Sequence, residues 1–390
     1  MANNNLTEAK KAKNDEFYTQ YHDIEKEISA YLEYNSDVFR DKTVLLPCDD
    51  PEWSNFTKYF AQNFDRFGLK KLISTSYAVN SKTYKSGYQP TIFETNNPQY
   101  DKIKTVKNGK IFTLSCDKNG DHKINIDDLE WHYLEGDGDF RSSEIQKLRD
   151  ETDMIITNPP FSLFREFLAW IVEADKKFVI IGSKNAITYK EVFPLIKNNK
   201  MWVGTTSFNK DMLFMSSEEI NPSQKPITAT KTVEGVVYLR SPSVWFTNLD
   251  HGRRHQPLPL MTMPDNLKYS KHKEIKGKNS YISYDNYDAI EVPFTDAIPS
   301  DYEGAMGVPI SFLDKYCPEQ FEILGTSDNG LVDDKFKKTQ GLTKQFVDDY
   351  YKSGGTGAYN EGNPTAGYYG NNIAKMAYKR IFIKHKKETT

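Results

Sequence analysis

Only 3 of the 390 residues are cysteine (Cys48, Cys116 and Cys317), and they stand far apart. That spacing excludes a disulfide framework and the paired-cysteine pattern of a zinc site, and it fits a reducing cytoplasm. No apolar run approaches the length needed to span a bilayer. The opening Met1-Ala2-Asn3-Asn4-Asn5 has neither the charged nor the apolar stretch of a signal peptide. Net charge is scarce too: 51 Lys and Arg against 54 Asp and Glu leave a formal −3. Any binding to nucleic acid therefore has to draw on locally gathered cations.

What the chain does have is length, a core and aromatic rings. The 390 residues suit two domains, and 38% hydrophobic residues can fill their cores. The most informative stretch is Asn158-Pro159-Pro160-Phe161. It follows an apolar run, Asp153-Met154-Ile155-Ile156-Thr157, that reads as a buried strand, and it precedes an amphipathic helix over 162–172. A loop at the C-terminal end of a sheet strand is where open α/β folds bind ligands. Two consecutive prolines stiffen it and remove two N–H donors, leaving carbonyl oxygens to face a substrate.

An amine on an aromatic ring is a poor nucleophile, because its lone pair is delocalised into the ring. Two acceptors, the Asn158 side-chain oxygen and the Pro159 carbonyl, would draw that nitrogen toward tetrahedral geometry, while Phe161 stacks on the base. Such a loop suits transfer of an electrophilic methyl group to a planar amine. The bland alternative is a proline-rich turn that ends a strand and starts a helix.

Along the chain, a helix is expected over 23–39, a strand over 43–48, a helix from Ser54 to Phe67 stopped by Gly68, and a strand over 71–77. A βαβ crossover results. Residues 79–135 read as an irregular, β-rich excursion. A helix then starts at Ser142, a strand runs over 177–182, a short helix over 190–197, and strands over 233–239 and 243–249 form an antiparallel edge hairpin on a mostly parallel sheet. Beyond 250 the βα alternation fades, so residues 1–255 are expected as one domain and 256–390 as a second. The stretch 353–372, rich in Gly, Asn and Tyr, reads as a loop.

The order Glu16-Phe17-Tyr18-Thr19, Cys48-Asp49-Asp50-Pro51, Gly138-Asp139-Phe140-Arg141-Ser142 and Asn158-Pro159-Pro160-Phe161 resembles the EcoRI-type adenine-specific DNA methyltransferases along nearly the whole chain. The resemblance implies a Rossmann-like α/β catalytic domain (1–255), a C-terminal target-recognition region (256–390), S-adenosylmethionine as methyl donor and adenine N6 in double-stranded DNA as acceptor, with the base flipped out of the duplex. It leaves room for a cognate restriction endonuclease acting on the same site without a stable complex. Carried over by position, Asn158, Pro159, Pro160 and Phe161 form the catalytic loop. Phe17, Tyr18 and Thr19 close over the methionine end of the cofactor. Asp49, Asp50 and Pro51 form the loop after the first strand, where a carboxylate can hold the cofactor's ammonium group. Asp139 and Phe140 contact its adenine ring. Two features depart from the pattern: no glycine lies between Pro47 and Phe67, and no acidic residue directly follows Tyr77. On spacing alone, Asp49-Asp50-Pro51 is also a turn and helix cap.

Other signals stay open at this level. Residues 117–128 place oxygen ligands like a calcium loop, but His122 stands where the sharp turn wants glycine, and an Asn-Gly hairpin is the plainer reading. Arg253 and Arg254, the basic run Lys268, Lys271, Lys273 and Lys276, and a second run from Lys379 to Lys387 are candidate DNA contacts or solvated faces. No metal is expected. Transfer to guanine N2 in RNA or to a protein glutamine uses the same kind of loop, and a catalytically silent DNA-binding protein is the reading from another class.

Overall fold

The computed structural model describes residues 18–49, 54–78, 98–215, 230–328 and 330–386. Phe17, Asp50 and Pro51 of the expected cofactor site lie outside them, as does Lys387. The chain divides into two compact units, one spanning 1–184 and 203–251, the other 185–202 and 252–390.

The first unit is built on an eight-stranded sheet. Its strands are β2 (Thr43–Leu46), β3 (Lys71–Ser76), β4 (Lys110–Leu114), β5 (Glu130–Tyr133), β6 (Met154–Thr157), β7 (Lys177–Ser183), β8 (Trp202–Val203) and β12 (Ser243–Thr247). They lie in the order β5-β4-β3-β2-β6-β7-β12-β8. The four central strands are mutually parallel, while β4, β5 and β12 run antiparallel to their neighbours. Strands β2, β6 and most of β7 are buried on both faces, which is why they read as unbroken apolar runs. The strand order reverses between β2 and β6, which makes that gap the topological switch point.

The expected edge hairpin is corrected by this arrangement, and the sheet is mixed rather than mostly parallel. Residues 230–233 (β10) and 236–241 (β11) do form a hairpin, turned by Glu234 and Gly235 in the left-handed region. It belongs to a separate four-stranded sheet with β1 (Tyr18–Thr19) and β9 (Met212–Met215), in the order β1-β9-β11-β10. Only β12 enters the main sheet, beside β7 and inside the edge. Sequence periodicity cannot assign two adjacent strands to two sheets, because Pro242 between them marks a corner without saying which way it turns.

Helices α1 (Tyr21–Tyr34), α2 (Asn55–Gln62), α3 (Phe64–Phe67), α4 (Lys102–Lys107), α5 (Ser143–Glu151) and α6 (Phe164–Glu173) complete the unit. Helix α2 buries Phe56, Tyr59 and Phe60, and its neighbour α3 buries Phe64 and Phe67. Edge-on contacts link Phe60 to Phe39 (5.6 Å) and to Phe67 (5.8 Å), each worth about 0.5–1.5 kcal/mol beyond simple burial. The single helix expected over 54–67 is interrupted at Asn63; Gly68, at φ +62°, ends it as expected. Helix α6 lies flat on β7, because a β-carbon on Gly182 would run into the Phe164 ring.

The loop 115–129 joins β4 to β5, an antiparallel pair, and it ends in a short 3-10 turn over Ile126–Asp128 just before β5. Asp117, Asn119, Asp121 and Asp128 accept backbone N–H groups of the loop itself. These bonds hold the Asp128 carboxyl below its ordinary value. Among the described residues no cluster of three or more His, Cys, Asp or Glu could hold a metal ion, and no helix is long and apolar enough to cross a membrane.

The second unit contains α7 (Phe193–Lys197), α8 (Met263–Tyr269), α9 (Lys344–Lys352) and a four-stranded sheet in the order β13-β14-β18-β15: Ala289–Glu291, Ala305–Pro309, Arg380–His385 and Phe321–Thr326. A small hairpin, β16 (Gly367–Gly370) and β17 (Ile373–Met376), packs with α9. Inside this unit Arg380 and Tyr284 both bond the buried carboxylate of Glu291.

Candidate active site

The loops at the C-terminal ends of β2, β3 and β6 converge. The Thr157 hydroxyl donates to the Pro47 carbonyl at 2.8 Å, tying the end of β6 to the end of β2. The Asp49 N–H donates to Thr75 O at 2.7 Å, and the Ala78 N–H to Asp137 O at 2.8 Å. Gly138, at φ +86°, lies so close to β3 that a β-carbon would meet the Ser76 carbonyl. The segments carrying Asp49, Asp139 and Asn158 are thus held on one edge of the sheet, around the switch point.

Asn158 follows β6 directly and is half-buried, with its side-chain oxygen out of solvent. Pro159 and Pro160 are buried. The Pro160 carbonyl accepts the Leu163 N–H at 3.0 Å, so it starts the 3-10 turn Phe161–Leu163. Of the two proline carbonyls, that leaves Pro159 as the candidate substrate acceptor. Phe161 meets Phe214 of β9 edge-on, centroids 6.2 Å apart. Phe214 is fully buried and pairs with Thr19 in the β1–β9 ladder.

Thr19 is therefore brought to the catalytic loop by a strand from the second sheet. Its carbonyl accepts the Asn55 side-chain N–H at 2.8 Å, which anchors β1 to the first residue of α2. Its own hydroxyl is buried with no hydrogen-bond partner among the described residues. An orphaned buried donor costs about 1–3 kcal/mol.

Several of the expected site residues also have structural partners. The Asp49 carboxylate accepts from Ser54 Oγ, from Thr57 N at 3.1 Å and from Thr57 Oγ1 at 2.9 Å. Together with Ser54 it caps α2. Phe140 is 1% exposed, its ring packed against Phe167 at 5.0 Å and Trp170 at 5.6 Å. These contacts anchor the loop against α6. Asp139 stays partly exposed, gripped by Arg141 through Nε at 2.9 Å and a terminal nitrogen at 2.7 Å. Arg141 also reaches Glu166 on α6 at 3.3 Å. The bonds to Asp139 raise the Arg141 guanidinium further above its ordinary value.

The missing glycine after β2 has a substitute. Cys48 takes the left-handed conformation itself, at φ +64°, a strain of roughly 1–2 kcal/mol for a residue with a β-carbon. Sequence reading also passed over Phe214. Its only signal was the short apolar run Met212-Leu213-Phe214-Met215, too brief to be told from core.

Within the second unit the basic candidates separate. Arg254 is buried, its guanidinium 3.7 Å over the Trp202 ring and bonded to Asn199. Arg253 pairs with Asp314 at 3.5 Å, and Lys271 with Asp296 at 2.7 Å. Lys268, Lys273 and Lys276 are exposed, with Lys268 lying over Tyr269. In the C-terminal run, Lys379 and Arg380 are taken up by Asp328 and Glu291.

Residues 5–386 match the family model described as adenine-specific methyltransferase EcoRI. The chain is 44% identical over 321 residues to the type II methyltransferase M.EcoRI of Escherichia coli, covering 82% of this chain and 88% of that protein. It is 32% identical over 317 residues to the type II methyltransferase M.MpnI of Mycoplasma pneumoniae, covering 81% and 83%. No solved structure matches the chain.

Proposed function

The chain belongs to the EcoRI family of adenine-specific methyltransferases, and from that premise we propose how its residues carry out N6 methylation of adenine in duplex DNA. The observation that carries the reading is the junction of β2 and β6, where Thr157 and Pro47 hold Asn158 beside the end of β2. The target amine is inside the duplex, so the base is flipped out to reach this loop. The Asn158 side-chain oxygen and the Pro159 carbonyl accept the two N–H groups of the amine and localise its lone pair. Phe161, steadied from behind by Phe214, supports the ring of the base.

The methyl donor is S-adenosylmethionine, which when bound supplies an electrophilic methyl group on a sulfonium. The orphaned Thr19 hydroxyl fits the carboxylate at its methionine end. Tyr18 extends the same strand, and Asp139 offers an acceptor for the adenine amine at the other end. The Asp49-Asp50 pair is the proposed source of a carboxylate for the cofactor's ammonium group, Asp49 also capping α2. Residues 256–390 form the target-recognition region, with Lys268, Lys273 and Lys276 as phosphate contacts. Long-read sequencing of DNA from cells expressing the chain tests the reading. It is expected to reveal N6-methyladenine at one recurring site, and unmodified DNA beside labelled RNA or protein would overturn it.

A further inference from the structure

We propose that Lys184 is a positioning residue for methyl transfer, acting through β9 on Phe214 and so on Phe161 and Thr19; the inference rests on the catalytic reading above. Lysine is rarely buried unless its charge is matched, and the Lys184 side chain is only 13% exposed. It directly follows β7, and its ammonium has three acceptors for three protons: Phe208 O at 2.5 Å, Lys210 O at 2.9 Å and Asp211 Oδ1 at 3.1 Å. With its protons so placed it holds no lone pair for proton abstraction, and its work is mechanical.

What it holds is the turn immediately before β9. The other Asp211 oxygen accepts from Arg240 of β11 at 2.6 Å, opposite Leu213 in the β9–β11 ladder. The Lys184 N–H donates to Pro242 O at 2.8 Å, at the corner where the chain leaves β11 for β12. One lysine thus joins the C-terminal end of β7 in the main sheet to β9, which carries Phe214, and to the end of β11, one of its two flanking strands. A slip of β9 by one residue would move Phe214 to the opposite face and remove the ring behind Phe161.

The test uses the full chain with Lys184→Met, Lys184→Arg, Phe214→Leu and the Lys184→Met/Phe214→Leu double variant. Hydrogen exchange is read at the amides of β9 and of β2 and β6, and single-turnover methylation is read on unmodified genomic DNA. Lys184→Met is expected to speed β9 exchange about tenfold while β2 and β6 keep theirs. It should slow transfer roughly tenfold, arginine recovering part of the loss, and add nothing further on top of Phe214→Leu. Unchanged β9 exchange, or losses that multiply in the double variant, would overturn the proposal. If the wild type modifies no adenine, the catalytic reading fails, while the exchange measurement still decides whether Lys184 fixes β9.

Discussion

Thr157 and Pro47 lie 110 residues apart in the chain and are joined by a single buried hydrogen bond, hydroxyl to carbonyl. One residue ends β6, which leads into the candidate catalytic loop; the other directly follows β2. Replacing Thr157 by valine keeps the shape and leaves the carbonyl without its donor. The expected cost is about 1–3 kcal/mol of stability and roughly tenfold in transfer rate, since loop placement sets the geometry of attack. Equal single-turnover rates in variant and wild type would remove the bond from the mechanism.

Asn158→Ala is expected to cut transfer by about 10³-fold, because it removes one of two preorganised acceptors. Cofactor affinity and the thermal midpoint should stay close to wild type. Calorimetry beside a methylation assay separates these effects, and retained activity would dismiss Asn158 as a substrate acceptor.

Thr19→Val offers a sharper contrast. Among the described residues the hydroxyl has no partner to lose, so stability should hold or rise slightly. Affinity for S-adenosylmethionine should fall about tenfold, the worth of one good hydrogen bond to a charged group. An unchanged dissociation constant would send the cofactor carboxylate elsewhere.

For Asp49→Ala the balance reverses. Loss of the cap strands the Thr57 N–H and takes an acceptor from the Ser54 and Thr57 hydroxyls at the start of α2, and a loss of about 1–3 kcal/mol is expected in urea unfolding. A variant as stable as wild type but unable to bind cofactor would make Asp49 a ligand residue and not a cap.

Acid should act on the Lys184 clamp. Burial pushes the Asp211 carboxyl up, but its bonds and charge contacts with Lys184 and Arg240 outweigh this and bring it below its ordinary value of 3.8. A folded-state value below the unfolded one gives stability that is present above about pH 4 and is lost as pH falls through the folded value. Asp211→Asn should therefore be less stable than wild type near neutrality and converge with it in strong acid. Urea midpoints measured across that range check the sign; a gap that persists at the lowest pH would mean the carboxylate's charge is not what matters.

The strand, loop and helix around Asn158-Pro159-Pro160-Phe161 were legible because the flanking apolar patterns are strong on either side of four unusual residues. The βα alternation of the first unit and the cap at Ser142 could be read for the same reason. The packing of Phe140 could not: an aromatic beside an aspartate looks the same from sequence whatever rings meet it, and Phe167 and Trp170 lie on a separate helix. Asp49 carried both meanings in its sequence, ligand and cap, and the bonds with Ser54 and Thr57 bear out the cap. Arg254 looked cationic and exposed beside Arg253, yet the ring that buries it lies more than fifty residues earlier, at Trp202. Phe214 and Lys184 act through contacts between two sheets, which no local periodicity encodes.

Gly182 leaves room for Phe164 to rest directly on β7, and Phe164 begins the helix that grows out of the diproline corner. The elevation of that corner over the strands is therefore fixed by carbon touching carbon. Buffer and ionic strength have no purchase on such a contact, so they can weaken the enzyme's grip on its polyanionic substrate without disturbing the seat of the reaction.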